Sequence, residues 1–563
     1  MDTSFIPQAL KIDWITLEPL FQDLLNRPIS SKADLETWML DRSQLESLLE
    51  EDFAWRYIHM TRDTESPEKL KAFQYFTEEI EPKIAPVSNA LNKKLMHSEF
   101  LGALDATRYG IYLRDVQKSL ELFREENIPL QTKIQMTQQQ YQALTGSMSV
   151  HLDGQEYTLE QAGAFLKDTD RAKRESTWRT ISERRQQDAQ VLDDLFDTLK
   201  GLRHQVAQNA GFENFRDYSF QAMGRFDYTP EDCFNFHNAI EKYICPILEE
   251  QAAKRAECLH LDTLRPWDMD VDPLNRAALK PFGTTREMID KTAISLEKLD
   301  PYIGSRVRLM DKDGLFDLES RKGKAPGGYN YPLAKTGAPF IFMNSAFTFR
   351  DMTTLIHETG HATHTYLTAD LPINDFKHVP SEVAELASMS LELLSMAHWD
   401  VFFRDPKELE RAKSEQLLDV LKTLPWVATV DKFQHWLYTH PQHSPVERKQ
   451  AWVDIYQPLS IQQVSWQGLE SYRETLWHKQ LHIFEVPFYY IEYGMAQLGA
   501  IAIWKHFTEQ PDQALKQYLE ALKLGYTKSI PEIYEAAGIK FDFSERYVRQ
   551  LADFLRQELE KLH

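Results

Sequence analysis

Two histidines and a glutamate stand at a spacing that can bind a metal ion and activate a water molecule. His357, Glu358 and His361 form the pattern HExxH within the segment HETGH. On a helix the two histidines lie one turn apart on the same face, about 6 Å between Cβ atoms, so they can share one ion. Two neutral imidazoles suit Zn²⁺, which in hydrolytic sites takes three protein ligands and leaves a fourth position for water. The pattern predicts a zinc site with Glu358 as general base, and the alternative is a helix whose histidines only form hydrogen bonds.

The residues around this motif predict a long helix that positions both histidines. Thr348 and Asp351 have the spacing of a capping box, and the helical pattern ends before Pro372. Gly360 lies inside this helix, where a glycine costs about 1 kcal/mol relative to alanine. We therefore expect another backbone to approach the helix closely at Gly360.

A second helix with two acidic residues is predicted shortly downstream. Pro380 and Ser381 are typical of a helix start, and the segment 382–392 is helical in pattern throughout. Glu385 and Glu392 are seven residues apart and so share one face, beside leucines that supply core contacts. Burying unpaired carboxylates costs free energy, so a nearby cation explains the pair economically. A solvated acidic stripe is the alternative.

With these two segments the sequence resembles the thimet oligopeptidase and oligoendopeptidase F metallopeptidases of family M3, most closely the oligoendopeptidase F branch. In that family HExGHxxH is followed by a second helix with the third zinc ligand, a glutamate in an E-x-[AP]-S setting, and by another glutamate seven residues later. Glu385 stands in this setting here, with Glu392 following, whereas Glu382 lacks the Ala-Ser that should come after it. The resemblance implies that one zinc ion is bound by His357, His361 and Glu385.

His364 extends the motif to HExxHxxH and shares a face with His357, so it could compete as a ligand. It lies a further turn along the helix, whereas a carboxylate from a separate helix completes a tetrahedron more easily. We expect His364 and Glu392 to contact the ligands rather than the ion. For His364 the alternative is a histidine that is only packed and hydrogen-bonded.

A segment near the C-terminal end, 482–500, combines aromatic, histidine and acidic residues in an apolar context. Phenols and imidazoles there can donate hydrogen bonds to an oxyanion. The segment resembles the F-Y-x-x-x-Y block of the oligoendopeptidase F branch, in which tyrosines and a histidine close over the substrate carbonyl. The resemblance implies catalytic roles for His482, Tyr490 and Tyr493, with Tyr489 in reserve as a substrate-binding residue. Packing in the core is the alternative for each tyrosine.

Glycines and prolines interrupt the helical pattern between residues 311 and 349. Within this stretch, 328–331 and 339–343 are predicted to form a small sheet immediately before the HExxH helix. In the resembling family an edge strand at this place pairs with extended peptide. The resemblance implies that Gly327, Gly328 and Tyr329 bind substrate, with 340–342 also a candidate, and that main-chain hydrogen bonds give broad selectivity.

Most of the remaining chain is predicted to be amphipathic helix, as in the segments 35–60, 70–89, 188–209 and 230–258. The segment 146–159 is the exception, because its residues alternate around an Asp-Gly pair and predict a β-hairpin.

The fold class expected from these patterns is mainly α. We place a soft boundary near residue 185, between an N-terminal helical part, 1–185, and a catalytic part, 186–563. The resemblance implies a large helical body of two lobes with a deep central channel, which admits short peptides and excludes folded proteins.

Composition and charge limit the classes of partner and the cellular compartment that we expect for this protein. The formal net charge is -21 and the isoelectric point is near 5.4, so the surface field repels phosphate backbones and anionic lipid. We expect no nucleic-acid partner. The three cysteines show no framework spacing, and the first residues lack the features of a secretory signal. No stretch has the apolar length of a membrane span, so we expect a cytoplasmic protein without a membrane segment.

The expected activity is zinc-dependent endopeptidase cleavage of short oligopeptides. Zinc would lower the pKa of a bound water, Glu358 would take its proton, and the hydroxide would attack a peptide carbonyl. Two other functions share the same residues: a zinc hydrolase of a non-peptide amide, and a peptide-binding protein with a vestigial metal site. Cleavage preference and oligomeric state do not follow from the sequence.

Overall fold

The computed structural model describes residues 5–7, 10–321, 323–325 and 327–562, and most of them are helical. This confirms the mainly α fold class. The helices of the first half are α1 Trp14–Asn26, α2 Lys32–Arg62, α3 Pro67–Tyr75, α4 Glu81–Met96, α5 Ala106–Leu122, α6 Ile128–Gly146, α7 Leu159–Gly163, α8 Arg171–Gln187, α9 Ala189–Asn209, α10 Phe215–Ala222, α11 Pro230–Tyr243 and α12 Cys245–Cys258.

The second half contributes the helices that surround the HExxH motif. They are α13 Thr285–Leu299, α14 Pro301–Lys312, α15 Phe349–Thr368, α16 Ser381–Ser395, α17 Pro406–Thr439, α18 Pro445–Leu459, α19 Glu470–Glu474, α20 Leu481–Glu485, α21 Tyr490–Glu509, α22 Pro511–Leu522, α23 Ile530–Ala536 and α24 Glu545–Glu560. Short helical turns connect several of them, including one at Leu476–Lys479.

Prolines explain where two predicted helices are divided. The segment 230–258 breaks at Ile244 into α11 and α12, with Pro246 in the first turn of α12. The segment 70–89 contains the π-helical turn Phe76–Ile80, and Pro82 lies in the first turn of α4. Proline has no backbone N–H and clashes with the preceding turn, so a continuous helix ends before it.

The predicted β-hairpin is confirmed. Strands β1 Ser149–Leu152 and β2 Gln155–Thr158 pair antiparallel around Asp153 and Gly154. Both turn residues have positive φ, 52° and 80°, which is the conformation that an Asp-Gly hairpin turn favours.

A three-stranded sheet lies before α15, as the glycine-rich stretch predicts. Its strands are β3 Phe316–Glu319, β4 Tyr329–Leu333 and β5 Ala338–Ser345, in the order β3-β5-β4. β4 and β5 pair antiparallel and match the predicted pair, while β3 joins parallel to β5 and was not predicted. Because β5 is almost fully buried and leads directly into α15, the sheet anchors the start of the HExxH helix.

Two hydrophobic clusters organise the interior. One is built mainly from α1, α2, α4 and α5 and includes Ile373 and Phe376 from the loop after α15. The other contains the buried faces of α15, α16, α17 and α21. Residue 185 lies within α8, and the division of the chain at that point stays a prediction. Among the described residues, no helix combines the length and apolarity that crossing a bilayer requires.

Candidate active site

A capping box at the start of α15 sets the direction of the HExxH helix. The side chain of Thr348 accepts a hydrogen bond from the backbone N–H of Asp351, 3.3 Å, and the Asp351 carboxylate accepts one from the backbone N–H of Thr348, 2.7 Å. The predicted cap is therefore confirmed. α15 ends at Thr368, before Pro372 as expected, and α16 begins at Ser381 after Pro380.

Gly360 allows α15 and α16 to touch backbone to backbone, as its place inside the helix predicts. A Cβ added at Gly360 would lie 2.5 Å from the Cα of Ser388 and 2.8 Å from the carbonyl oxygen of Ala387. Real Cβ atoms do not approach other atoms so closely, and both neighbours are backbone atoms that cannot rotate away. Contact at this distance brings the carboxylate of Glu385 within reach of the two histidines.

Replacement of Gly360 by alanine is expected to lower the free energy of unfolding by about 1–3 kcal/mol, because the added methyl group forces the two helices apart. The same movement should draw Glu385 away from the histidines and weaken metal binding. Urea unfolding and zinc titration measure the two effects. The control is Gly201→Ala in α9, where a Cβ would meet nothing within 4 Å and alanine should stabilise by up to about 1 kcal/mol. Equal stability of the two variants would contradict the close-contact explanation.

The side chains of His357, His361 and Glu385 converge on one point. Glu385 Oε2 lies 3.3 Å from His357 Nε2 and 3.6 Å from His361 Nε2, and the three ligand atoms lie within 4.8 Å of one another. Ligands about 2.0–2.1 Å from a tetrahedral zinc ion would be about 3.3 Å apart. The donor set and its spacing therefore fit Zn²⁺, with room for a fourth ligand.

Hydrogen bonds hold two of these ligands in orientation. His357 Nδ1 lies 2.7 Å from Glu392 Oε1, and the other oxygen of Glu392 accepts a hydrogen bond from Gln416 Nε2, 2.7 Å. Glu385 accepts bonds from the hydroxyls of Ser388 and Tyr489, both 3.0 Å. A carboxylate on the outer nitrogen of a metal-binding histidine is a common arrangement at zinc sites. Gln416 on α17 is missed by sequence reasoning, since nothing near it in the chain marks it.

The electrostatics favour a cation between the carboxylates. Burial by itself lowers the pKa of His357, but Glu385 and Glu392 outweigh it and hold that pKa well above its ordinary value. Burial likewise raises the pKa of Glu385, but the charges of His361 and His357 bring it down to about 2. Glu385 is therefore ionised at neutral pH, as a metal ligand must be.

Glu358 differs from the other acidic residues of the site. It is buried, and desolvation raises its pKa to about 7, with repulsion from Glu385 acting in the same direction. The backbone N–H of Asn330 donates a hydrogen bond to its carboxylate and acts in the opposite direction. The side-chain amide of Asn330 also donates a weak bond to the main-chain oxygen of Glu358, 3.4 Å. A carboxyl group with a pKa near neutral can accept and release a proton.

His364 is buried one turn beyond this group and does not join it. Its ring nitrogen Nε2 has no hydrogen-bond partner in the described part of the chain, and burial, reinforced by the charge of His361, lowers its pKa to about 3. The ring is therefore neutral, and its role beside the ligands stays a prediction.

The structure brings His482, Tyr489, Tyr490 and Tyr493 together around one histidine ring. The three tyrosine rings lie 4.8–5.8 Å from the His482 ring, centroid to centroid, and the Tyr493 hydroxyl lies 3.5 Å from His482 Nε2. Because Tyr489 also bonds to Glu385, this cluster adjoins the candidate metal ligands. The four residues that the resemblance selected thus lie beside the candidate centre, with their roles untested.

Strand β4 runs along the edge of the sheet beside the HExxH helix. Its inner edge pairs with β5, and no described strand pairs with its outer edge. Tyr329 is turned into the protein, since its ring stacks on Phe342 at 4.7 Å and its hydroxyl bonds to Thr61 Oγ1, 2.6 Å. Gly327 and Gly328 are exposed. The outer edge of β4 therefore exposes main-chain groups rather than the side chain of Tyr329.

A mainly helical fold with two histidines on an HExxH helix and a glutamate on the neighbouring helix defines a class of helical proteins with a candidate metal centre. The chain belongs to peptidase family M3. The model of peptidase family M3 matches residues 164–553, and that of the peptidase M3 N-terminal domain matches residues 8–123. The family suggested by the sequence resemblance is therefore confirmed.

Similar proteins carry related names. Oligopeptidase PepF of Bacillus subtilis (strain 168) is 25% identical over 55% of this chain and 46% of its own length. An oligoendopeptidase F homolog of Borreliella burgdorferi is 23% identical over 68% and 63%. The chain thus spans less than two thirds of either relative. The solved structure of PZ peptidase A with inhibitor 2 is 27% identical, with a TM-score of 0.92 over 99% of this chain and 98% of that one.

Proposed function

We propose that the protein is a zinc-dependent endopeptidase that hydrolyses short oligopeptides. The observation that carries the proposal is the convergence of His357, His361 and Glu385 beside the buried carboxyl group of Glu358, whose pKa is raised to about 7. The names of the similar proteins, oligopeptidase and oligoendopeptidase, support peptides as the substrate class. The three cysteines are free, which favours a reducing compartment, and we assign the enzyme to the cytoplasm.

A zinc ion bound by His357, His361 and Glu385 would act as a Lewis acid, activating a water molecule and polarising the substrate carbonyl. Glu358 takes one proton from the attacking water, which its raised pKa allows. The same carboxyl group then protonates the nitrogen of the leaving amine. Glu392 holds the His357 ring through Nδ1, which leaves Nε2 directed toward Glu385 and available to the ion that the site would hold.

The cluster around His482 would stabilise the oxyanion that forms on the scissile carbonyl. Burial lowers the pKa of His482 to about 4, so its ring is neutral, and Tyr493 keeps its proton because burial holds its pKa well above the ordinary value. A tyrosine hydroxyl in a dry site is a strong neutral donor. We assign this role to Tyr493 and Tyr490, with His482 orienting the former.

Tyr493→Phe is expected to lower kcat by about a hundredfold with little change in KM, because the lost hydrogen bond acts mainly in the transition state. Steady-state kinetics on a quenched peptide measures the split. The control is Tyr157→Phe in the β-hairpin, whose hydroxyl bonds only to Gln155 at the surface. If the two variants have the same kcat, Tyr493 is not an oxyanion donor.

Strand β4 would bind substrate by adding the peptide as a further strand on its outer edge. Gly327 and Gly328 leave the entrance to this edge without side chains, and Asn330 links the strand to the main chain of the HExxH helix. Main-chain hydrogen bonds do not depend on the side chains of the substrate, so cleavage of many sequences is expected.

The purified protein is expected to contain one zinc ion per chain and to cleave internal bonds of short peptides, with activity lost on chelation and restored by zinc. Elemental analysis gives the stoichiometry, and mass spectrometry of a digested peptide library gives the cut sites. Cleavage of small non-peptide amides but not peptides would favour the amide hydrolase. Peptide binding without any cleavage by the zinc-loaded protein would favour the vestigial site.

A further inference from the structure

A cavity of about 520 Å³ lies near the cluster around His482, between α8, α17, α18 and the turn Leu476–Lys479. Its walls include the indole rings of Trp178, Trp426 and Trp466. Three cationic side chains also line it, those of Arg185, Lys422 and Lys479, against the single carboxylate of Asp270. The cavity is thus electropositive inside a chain whose formal net charge is -21.

Two of the cations form no direct ion pair with a described residue, although carboxylates act on them from a greater distance, Asp270 on Lys479 and Glu160 on Arg185. Neither the guanidinium of Arg185 nor the ammonium of Lys479 forms an ion pair or a side-chain hydrogen bond with any described residue, Asp270 included. Lys479 Nζ lies over the Trp426 ring, 5.0 Å from its centroid. Lys422 differs, since its Nζ is 3.7 Å from a carboxylate oxygen of Asp419.

The charges of Arg185 and Lys479 act on each other across the cavity, although Lys479 is exposed to solvent and Arg185 is partly buried. Desolvation by the surrounding side chains and the charge of Arg185, opposed by the charge of Asp270, together lower the pKa of Lys479 to about 8. Burial also lowers the pKa of Arg185. Like charges facing one cavity repel each other, so an anion bound between them would relieve this repulsion.

Hydrogen bonds connect this cavity with the proposed oxyanion donors. Trp426 Nε1 donates to Gln480 Oε1, 2.9 Å, and Gln480 Nε2 lies 2.8 Å from His482 Nδ1. His482 Nε2 in turn faces the hydroxyl of Tyr493. Lys479 and Gln480 are adjacent in sequence, so one short turn contributes both to the cavity wall and to the support of His482.

We propose that Arg185 and Lys479 bind a carboxylate of the peptide substrate, and that this cavity is a subsite for acidic groups away from the cut bond. The inference rests on the proposed peptidase function. Every peptide with a free C-terminus supplies such a carboxylate, and an Asp or Glu side chain supplies the same chemistry. Both cations can form charge-assisted hydrogen bonds with it, while the tryptophan rings pack against the adjacent apolar atoms.

The net negative charge of the protein, taken alone, predicts the opposite preference between free acids and amides. A net charge of -21 repels anionic peptides at long range, so without a local site a peptide amide should be cleaved at least as well as the free acid. A preference for the free acid must therefore come from cations close to the bound peptide.

The test uses the zinc-loaded enzyme and three quenched peptides of one length: a free acid, its C-terminal amide, and an amide ending in glutamate. Wild-type kcat/KM is expected to be about tenfold higher for the free acid than for the plain amide. In Lys479→Met and Arg185→Met this ratio should fall toward one. Lys422→Met is the matched control, and its ratio should stay at the wild-type value because that lysine already has a partner.

The third peptide separates the two sources of the carboxylate. If the glutamate amide is cleaved as well as the free acid, the subsite accepts side chains, and if it behaves as the plain amide, the subsite selects the C-terminus. Equal cleavage of all three peptides by the wild type overturns the inference and leaves the peptidase function standing. A parallel loss on all three in the variants, with the ratio unchanged, also overturns it, because the cations would then serve only the fold. Failure to cleave any of the peptides contradicts the peptidase function itself.

Discussion

Replacement of Glu358 by glutamine is expected to lower kcat/KM by about a thousandfold while zinc stays bound. Glutamine keeps the size of the side chain but cannot accept a proton from water or return it to the leaving amine. Glu358 is not part of the convergent ligand group, so the zinc content should remain one ion per chain. Kinetics on a quenched peptide and elemental analysis of the same sample measure both quantities.

The control for this prediction is Glu392→Gln, which leaves Glu358 in place and weakens the orientation of His357. It should lower zinc affinity by about 10–100-fold and recover activity when zinc is added. Glu358→Gln should not recover under the same conditions. Near-normal turnover by zinc-loaded Glu358→Gln would remove Glu358 from the role of general base.

Replacement of Glu385 by glutamine is expected to remove zinc on dialysis and reduce activity to the level of the chelated wild-type protein. The amide is neutral and is a weaker zinc ligand than a carboxylate, and Glu385 is the group that both histidines face. Elemental analysis after dialysis, followed by activity measurement with and without added zinc, checks the result.

Glu382→Gln is the matched control, since the same substitution falls one turn earlier on α16. Glu382 is also buried, but its carboxylate accepts a hydrogen bond from the hydroxyl of Tyr228, 2.5 Å, and it is not part of the ligand group. The zinc content of the Glu382→Gln variant should equal that of the wild-type protein. If Glu382→Gln loses zinc and Glu385→Gln keeps it, the ligand assignment is wrong.

If the electropositive cavity binds substrate carboxylates, it also affects which bonds are cut. If a peptide held at Arg185 and Lys479 extends from the cavity to Glu358, the number of residues between its terminus and the cut bond would be fixed. An extended chain covers about 3.3 Å per residue, so the subsite would select by length as well as by charge. Short peptides with free ends would then be preferred over internal segments of long chains.

Local elements could be predicted from the sequence because each depends on neighbours along the chain. The Thr348–Asp351 cap, the start of α16 after Pro380 and the Asp153-Gly154 turn are all found where the patterns place them. Helical periodicity alone puts His357 and His361 on one face. Gly360 was informative for a related reason, since a costly residue inside a helix indicated the contact that the structure confirms.

The sequence by itself therefore determined the mainly helical fold and the motif residues, because short-range sterics and hydrogen bonding act within a few residues. The resemblance of those motifs then indicated the family. Only the tertiary structure decided which groups from distant segments meet: Gln416 with Glu392, Tyr489 with Glu385, and Arg185 with Lys479 across one cavity. The parallel strand β3 belongs with these, because its partner lies in a segment some twenty residues away and its own four residues carry little pattern. Long-range contacts follow from how whole helices pack, and packing depends on the summed shape of many side chains rather than on any local pattern.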